Sequence, residues 1–194
     1  MTNWTEGAEK LKAALKKAVG SNPFSDLFSV TMDSGEWKAC GRAVLGAVEG
    51  SGIDLKRVQA LGALSPAGMP LVMCCLGAAE EKGLCIDGFS MDFVYPSLKG
   101  PDVTGKDVVM VDAWISDLGY IQTSSLITLT RRQELELDWS IVKDAGAHIL
   151  AVASLVAGSS NQEPPRELEL KDVNTGEGEF VPFVYAFSKK DVEE

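Results

Sequence analysis

Three short, largely apolar runs constrain the fold of this chain more than any other feature of its sequence. They are Val58–Leu64, Val108–Val111 and Ile149–Val156, and polar or turn-forming residues follow each of them. Apolar runs of this length are typical of strands that are buried on both faces. We therefore predict that the three segments are neighbouring central strands of a parallel sheet.

Segments with helical spacing alternate with these runs. Met69–Lys82 follows the first run after the turn Ser65–Gly68, Ile121–Arg131 follows the second, and Ile141–Ala145 precedes the third. Strand, loop and helix in this succession indicate βαβ units, so we predict an α/β fold with a parallel sheet. The other predicted elements are helices at Thr5–Val19 and Cys40–Glu49, strands at Phe28–Met32, Leu84–Phe93 and 180–187, and a polar, proline-containing segment at Gly158–Gly178.

Charge and composition exclude several classes of function. The 194 residues suit one domain, and a net charge of −10 argues against a nucleic-acid partner, because clustered Lys and Arg side chains bind phosphate backbones. No segment has the run of about eighteen apolar residues that a membrane helix needs, and the N-terminus does not resemble a secretion signal. The four cysteines match no zinc pattern and are expected to be reduced in a cytoplasmic protein.

Two loops are expected at the carboxyl edge of the sheet, where open parallel sheets bind their ligands. They are Gly62–Gly68, after the first run, and Asp112–Gly119, after the second. A helix N-terminus attracts phosphate through its free N–H groups, and an acidic residue at a strand end can accept hydrogen bonds from ribose hydroxyls. The sequence therefore predicts a site for a sugar phosphate at this edge.

The order of these loops resembles that of the type I phosphoribosyltransferases, and of the orotate phosphoribosyltransferases in particular. Val108–Ile121 is similar to the family's motif for phosphoribosyl diphosphate (PRPP), and Gly146–Val156 to the strand after it. Leu61–Leu71 is similar to the pyrophosphate-binding loop, and Phe28–Gly35 to the strand that ends in Ser-Gly beside the base. The site residues that the resemblance implies are Ser34 and Gly35 near the base, Ser65, Ala67 and Gly68 in the pyrophosphate loop, and Asp112, Ala113, Ser116, Asp117, Leu118, Gly119 and Tyr120 in the PRPP motif.

The resemblance implies a twisted parallel sheet beneath a small hood, within a single domain. The core would span about residues 28–157, and residues 1–27 and 158–194 would form the hood. It also implies transfer of ribose 5-phosphate from PRPP to a base nitrogen, with Mg²⁺-pyrophosphate as the leaving group. A homodimer is expected, and Trp4 and Trp37 look like exposed aromatic residues that could contribute to its interface.

The PRPP motif departs from the family pattern at its centre. The family has two adjacent acidic residues, which fall here on Asp112 and Ala113, so one ribose contact is missing. Asp117 would repel a phosphate dianion, and Leu118 replaces a glycine where the backbone approaches the ligand. We therefore expect weak PRPP binding, and tighter binding after Ala113→Asp, Asp117→Thr and Leu118→Gly are made together.

The segment upstream of the motif departs from the pattern as well. The orotate enzymes carry an Arg-Lys pair and a long basic loop there, whereas this chain has Tyr95–Pro101, with Lys99 and Lys106 as the only nearby cations. Oriented cations stabilise the charge on a leaving diphosphate. Their loss predicts that transfer is weakened or absent.

Three functions remain open from the sequence. They are a non-catalytic or weakly active homologue that binds a nucleotide, nucleobase or sugar phosphate, an active orotate-type phosphoribosyltransferase that uses PRPP and Mg²⁺, and an acidic module that binds a basic protein. Simpler roles also remain open for single residues. Asp112 could cap a turn, Asp117 could be a helix N-cap, and Lys99 could be a solvated turn residue. Trp114 and Tyr120 could be core or lid residues, or could fill the space of a missing phosphate.

Overall fold

The computed structural model describes residues 4, 6–21, 27–92, 97–115, 137–138, 140–158, 163–172 and 175–193. Its helices are α1 (Ala8–Ser21), α2 (Phe28–Thr31), α3 (Trp37–Gly50), α4 (Gly68–Glu81), α5 (Ser140–Asp144) and α6 (Lys189–Glu193). Its strands are β1 (Ala60–Ala63), β2 (Asp87–Asp92), β3 (Ser97–Lys99), β4 (Asp107–Ile115), β5 (Leu137–Asp138), β6 (His148–Ala157), β7 (Glu167–Lys171) and β8 (Gly178–Ser188). Within this part of the chain, no helix is long and apolar enough to cross a membrane.

The eight described strands form one sheet in the order β3-β2-β1-β4-β6-β8-β7-β5. β1, β4 and β6 are adjacent and parallel, which confirms the prediction made from the three apolar runs. β2 and β8 extend the parallel region on either side, and the antiparallel strands β3 and β7 adjoin them. The chain is therefore an α/β protein with a mostly parallel sheet, as the sequence predicted.

Apolar side chains cover both faces of the central strands, and for this reason their sequences are continuously apolar rather than alternating. On one face of β4, Val109, Val111 and Ala113 belong to a core cluster that includes buried residues of α1, α3 and α4. On the other face, Val108 and Met110 belong to a second cluster with residues of β6 and β8. The three longer helices thus pack on one side of the sheet.

The segment Phe28–Met32, predicted to be a strand, is instead the short helix α2. Val30 and Thr31 donate backbone hydrogen bonds to the Leu27 carbonyl at 2.9 and 2.8 Å, which closes a helical turn. The side chains of Val30 and Thr31 are buried. A segment this short cannot be assigned by periodicity, and its packing between α1 and α4 decides its form.

The polar segment Gly158–Gly178 contains a strand, β7, that was not predicted. Leu168 and Leu170 are buried, whereas Glu167 and Glu169 are exposed, so the strand alternates as expected when one face is buried and the other exposed. Both β7 and β8 come from the part of the chain expected to form the hood, and they extend the main sheet. The division into core and hood stays a prediction.

Helices α3 and α4 pack with their backbones in contact at Gly41. A Cβ atom at this position would lie 2.0 Å from the Cys74 carbonyl oxygen, so a side chain would push the helices apart. We expect Gly41→Ala to lower the free energy of unfolding by about 1–3 kcal/mol, the usual effect of overpacking. Gly50→Ala, in the same helix, is the control, because no described atom lies within 4 Å of a Cβ there. Denaturant melts would compare the two, and an unchanged stability of Gly41→Ala would contradict this packing.

Candidate functional site

The sheet has a topological switch point between β1 and β4. From β1 the chain passes through α4 to β2 on one side, and from β4 it proceeds to β6 on the other. At such switch points, open α/β sheets bind their ligands in a crevice at the carboxyl edge of the strands. The site expected from the sequence lies at this switch point.

β4 continues beyond its predicted end at Val111. It pairs with β6 as far as Ile115, whereas β1 ends opposite Val111. The predicted boundary is wrong because β6 is long enough to satisfy the backbone hydrogen bonds of the following residues. Asp112 and Ala113 are therefore strand residues, and their side chains point to opposite faces of the sheet.

Asp112 is buried at this edge, with 3% of its surface exposed. Its Oδ1 accepts a hydrogen bond from the Ala113 N–H at 2.7 Å, and the Ser65 hydroxyl also donates to its carboxyl group. Burial raises the pKa of Asp112 to about 6, although these hydrogen bonds oppose the rise. The Asp112 carboxyl group is thus already hydrogen-bonded to groups of the protein.

The loop after β1 holds Ser65 against Asp112. The Gly68 N–H donates to the Ser65 carbonyl at 3.0 Å and to its Oγ at 3.3 Å. Position 68 requires a glycine, because a Cβ there would lie 2.7 Å from the Val111 carbonyl oxygen. Ala67, in the same loop, is buried. The structure therefore brings Ser65 and Gly68, predicted for the pyrophosphate loop, next to Asp112, whose assignment to the PRPP motif stays a prediction.

Ala113, which the resemblance predicts to stand at the second acidic position of the PRPP motif, faces the helices. Its side chain is 0% exposed and belongs to the core cluster that joins β4 to α3 and α4. A longer side chain at this position would enter the apolar core. The packing of this chain therefore favours a small residue at position 113.

Ser154 is a buried polar residue that the sequence analysis missed. It lies on β6 in register with Asp112, and its surface is 0% exposed. Its Oγ has no hydrogen-bond partner among the described residues, which is rare for a buried hydroxyl. The only signal in the sequence is one serine inside the apolar run Ile149–Val156.

Trp114 packs at the carboxyl ends of β4 and β6. A Cβ at residue 158 would lie 2.1 Å from Cε2 of its indole, so the ring rests directly on Gly158. The Trp114 side chain is half-buried, and its ring covers the end of β6. Its suggested role in filling the space of a missing phosphate stays a prediction.

The two cations that the sequence placed near the site lie away from Asp112. Lys99 is on β3, separated from β4 by two strands, and its Nζ is 3.9 Å from a carboxylate oxygen of Asp92. Lys106 is at the amino edge of β4, and its Nζ is 2.7 Å from Asp87. Among the described residues, no cation contributes to the pKa of Asp112.

Ser34 and Gly35, expected beside a base, lie in an exposed turn between α2 and α3. The Gly35 N–H donates to Asp33 Oδ1 at 2.8 Å. The next residue, Glu36, is buried and forms an ion pair of 2.6 Å with Lys10. The turn follows a helix instead of the predicted strand, and its role beside a base stays a prediction.

A groove of about 430 Å³ lies between α2, α3 and α4. Its polar groups are already paired, because Thr31 Oγ donates to the Leu27 carbonyl at 3.1 Å and Cys74 Sγ donates to the Thr31 carbonyl at 3.2 Å. The groove is therefore suited to apolar groups. It is lined by Thr31, Met32, Trp37, Met69, Pro70, Met73 and Cys74.

The remaining predicted site residues fall outside the described part of the chain. The phosphate-loop positions among them are Ser116, Asp117, Leu118, Gly119 and Tyr120, and their roles stay predictions. The helix predicted at Ile121–Arg131 also lies outside the described residues.

No protein-family model and no curated protein sequence matches this chain. Solved structures match it in fold. An orotate phosphoribosyltransferase of Mycobacterium tuberculosis H37Rv, crystallised in complex with PRPP, aligns with a TM-score of 0.61 over 95% of this chain and 98% of that chain, at 16% identity. The chain has the type I phosphoribosyltransferase fold.

Two further solved phosphoribosyltransferases also align with this chain. A phosphoribosyltransferase of Corynebacterium diphtheriae aligns with a TM-score of 0.59 over 95% of this chain and 99% of that chain, at 20% identity. The orotate phosphoribosyltransferase of Aeropyrum pernix aligns with a TM-score of 0.51 over 84% and 77%, at 14% identity. At identities this low, the structural similarity establishes the fold alone. The chemistry of the site has to be inferred from the residues of this chain.

Proposed function

We propose that this protein is a phosphoribosyltransferase-like binding protein that holds a nucleotide, nucleobase or sugar phosphate weakly in the crevice between β1 and β4. Transfer of ribose 5-phosphate would be slow or absent. The observation that carries the proposal is the environment of Asp112. The carboxyl group is 3% exposed and already accepts hydrogen bonds from Ser65 and from the Ala113 and Trp114 N–H groups, so a ribose hydroxyl would compete with these donors, and leaving one of them buried and unpaired costs about 1–3 kcal/mol.

The other groups of the site support the same proposal. The hydroxyl of Ser65 is engaged by Asp112, and Lys99 is paired with Asp92 two strands away from β4. Among the described residues, no group of three or more His, Cys, Asp and Glu side chains is arranged to hold a metal ion. The resemblance implies that Mg²⁺ would bind together with the diphosphate of PRPP.

Calorimetric titration with PRPP, with and without Mg²⁺, tests this proposal. We expect a dissociation constant in the millimolar range, equivalent to about −4 kcal/mol, with little dependence on Mg²⁺. Asp112→Asn, which preserves the shape of the side chain, should change this affinity by less than about threefold, or about 0.7 kcal/mol. Tight Mg²⁺-dependent binding, or robust turnover of orotate or a purine, would instead favour an active phosphoribosyltransferase.

We also propose that the protein forms a homodimer, which the resemblance alone supports. The two aromatic residues that looked exposed in the sequence do not strengthen this proposal, because Trp4 packs on Gly46 and Trp37 on Gly77. Sedimentation equilibrium at micromolar concentration should give a mass near twice the 20.7 kDa of one chain. A single species of 20.7 kDa would rule the dimer out at that concentration.

A further inference from the structure

Two buried cysteines meet where α3 packs on α4. Cys40 on α3 is 0% exposed and Cys74 on α4 is 1% exposed, and both belong to the same core cluster, where each thiol shifts the pKa of the other. The helix backbones touch beside them, at Gly41, where only a glycine fits against the Cys74 carbonyl. The proposed function uses neither thiol.

The two thiols differ in their surroundings. Cys74 lines the groove between α2, α3 and α4, and its Sγ donates to the Thr31 carbonyl at 3.2 Å, whereas Cys40 is not among the residues that line the groove. The neighbouring Cys40 thiol lowers the pKa of Cys74, against the opposing effect of burial. The Cys74 thiol and burial raise the pKa of Cys40. Because Cys74 lines the groove and Cys40 does not, Cys74 is the thiol that a small oxidant reaches first.

We propose that Cys74 and Cys40 are a peroxide-reactive dithiol, in which Cys74 is oxidised first and Cys40 then closes a disulfide within the chain. The groove that ends on Cys74 is the route by which a molecule as small as hydrogen peroxide reaches the sulfur. Closure of the disulfide would tie α3 to α4 and would remove the hydrogen bond that Cys74 donates to α2 at Thr31.

The reaction balances in two steps. In the first, the Cys74 thiolate attacks one peroxide oxygen and the O–O bond breaks, which gives a sulfenic acid and a hydroxide that is protonated to water. In the second, the Cys40 sulfur attacks the Cys74 sulfur, the S–O bond breaks, and the departing hydroxide takes the Cys40 proton as water. Two thiols are oxidised, and one peroxide is reduced to two waters.

Treatment of the native protein with dilute hydrogen peroxide, followed by denaturation, thiol blocking and peptide mass spectrometry, tests the proposal. We expect the loss of two free thiols per chain and one linked peptide pair that joins Cys40 to Cys74, with reversal by dithiothreitol. Fragment ions would assign the link to Cys74 and not to its neighbour Cys75, whose pKa burial raises well above its usual range.

Three serine variants separate the steps. In Cys40→Ser, oxidation of Cys74 should stop at the sulfenic acid, which dimedone traps. In Cys74→Ser, no disulfide should form and Cys40 should stay reduced. Cys85→Ser is the matched control, because Cys85 is exposed on the surface, and this variant should form the same link as the wild type.

Several outcomes would overturn the proposal. They are oxidation of Cys85 alone, a link from Cys40 to Cys75, and disulfides between chains in place of the internal one. The decisive measurement uses the wild-type protein, so it does not depend on the folding of any variant. It also needs no nucleotide, so its result is independent of the PRPP titration.

Discussion

Asp112→Asn should be more stable than the wild-type protein at neutral pH by about 3 kcal/mol, with the difference vanishing near pH 4. Burial raises the pKa of Asp112 to about 6, whereas an ordinary aspartate has a pKa of 3.8. The gap between these two values corresponds to about 3 kcal/mol of differential stability. Asparagine keeps an acceptor oxygen for the Ala113 N–H and removes the charge that burial disfavours.

The sign of this pH dependence follows from the raised pKa. Folded Asp112 keeps its proton up to about pH 6, so between about pH 4 and 6 the folded state binds more protons than the unfolded state. The contribution of Asp112 to stability is therefore fully present below about pH 4 and is lost as the pH rises through about 6. Urea melts of both proteins from pH 4 to pH 8 would measure the difference, because asparagine does not titrate.

Asp102→Asn is a control with the opposite sign. Hydrogen bonds from the Thr104 N–H and hydroxyl lower the pKa of the exposed Asp102. A lowered pKa contributes stability that is present at neutral pH and lost in acid, so this variant should be less stable than the wild type at pH 7. A difference for Asp112→Asn that did not change with pH would contradict the burial of a titrating carboxyl group.

Ala113→Asp should destabilise the fold by about 3–5 kcal/mol, the usual effect of a buried charge without a partner. The sequence suggested that this change, made with Asp117→Thr and Leu118→Gly, would restore a ribose contact. In the structure, however, Ala113 is 0% exposed and packs in the core cluster with α3 and α4. The carboxylate would enter this apolar cluster on the face opposite Asp112, so we expect the loss of stability to dominate in the triple variant as well.

Ala13→Asp is the matched control for this prediction. Ala13 is exposed on α1, and an aspartate there should change stability by less than about 1 kcal/mol, mainly through helix propensity. Denaturant melts of both variants, together with PRPP titrations, would decide the question. A stable Ala113→Asp protein that bound PRPP more tightly than the wild type would show that the side chain at this position reaches the crevice.

The position of the candidate site could be predicted from the sequence, but its contacts could not. Ser65, Gly68 and Asp112 were placed at the carboxyl edge because they follow two apolar runs of a parallel sheet, and the structure brings them together there. The hydrogen bond between Ser65 and Asp112 depends on how the loop after β1 folds back on β4. The position of Ser154 opposite Asp112, where its hydroxyl has no partner within the described part of the chain, depends on the register between β4 and β6, which periodicity does not encode.

The sequence by itself determined that β1, β4 and β6 are the central parallel strands. Strands that are buried on both faces require continuous apolar runs, and these three segments have such runs. Tertiary structure alone decided where β4 ends, since a strand continues for as long as its neighbour supplies hydrogen bonds, and β6 supplies them as far as Ile115. It also made Phe28–Thr31 a helix and brought Cys40 against Cys74. Such features depend on partners that are distant in the sequence, and local periodicity carries no information about them.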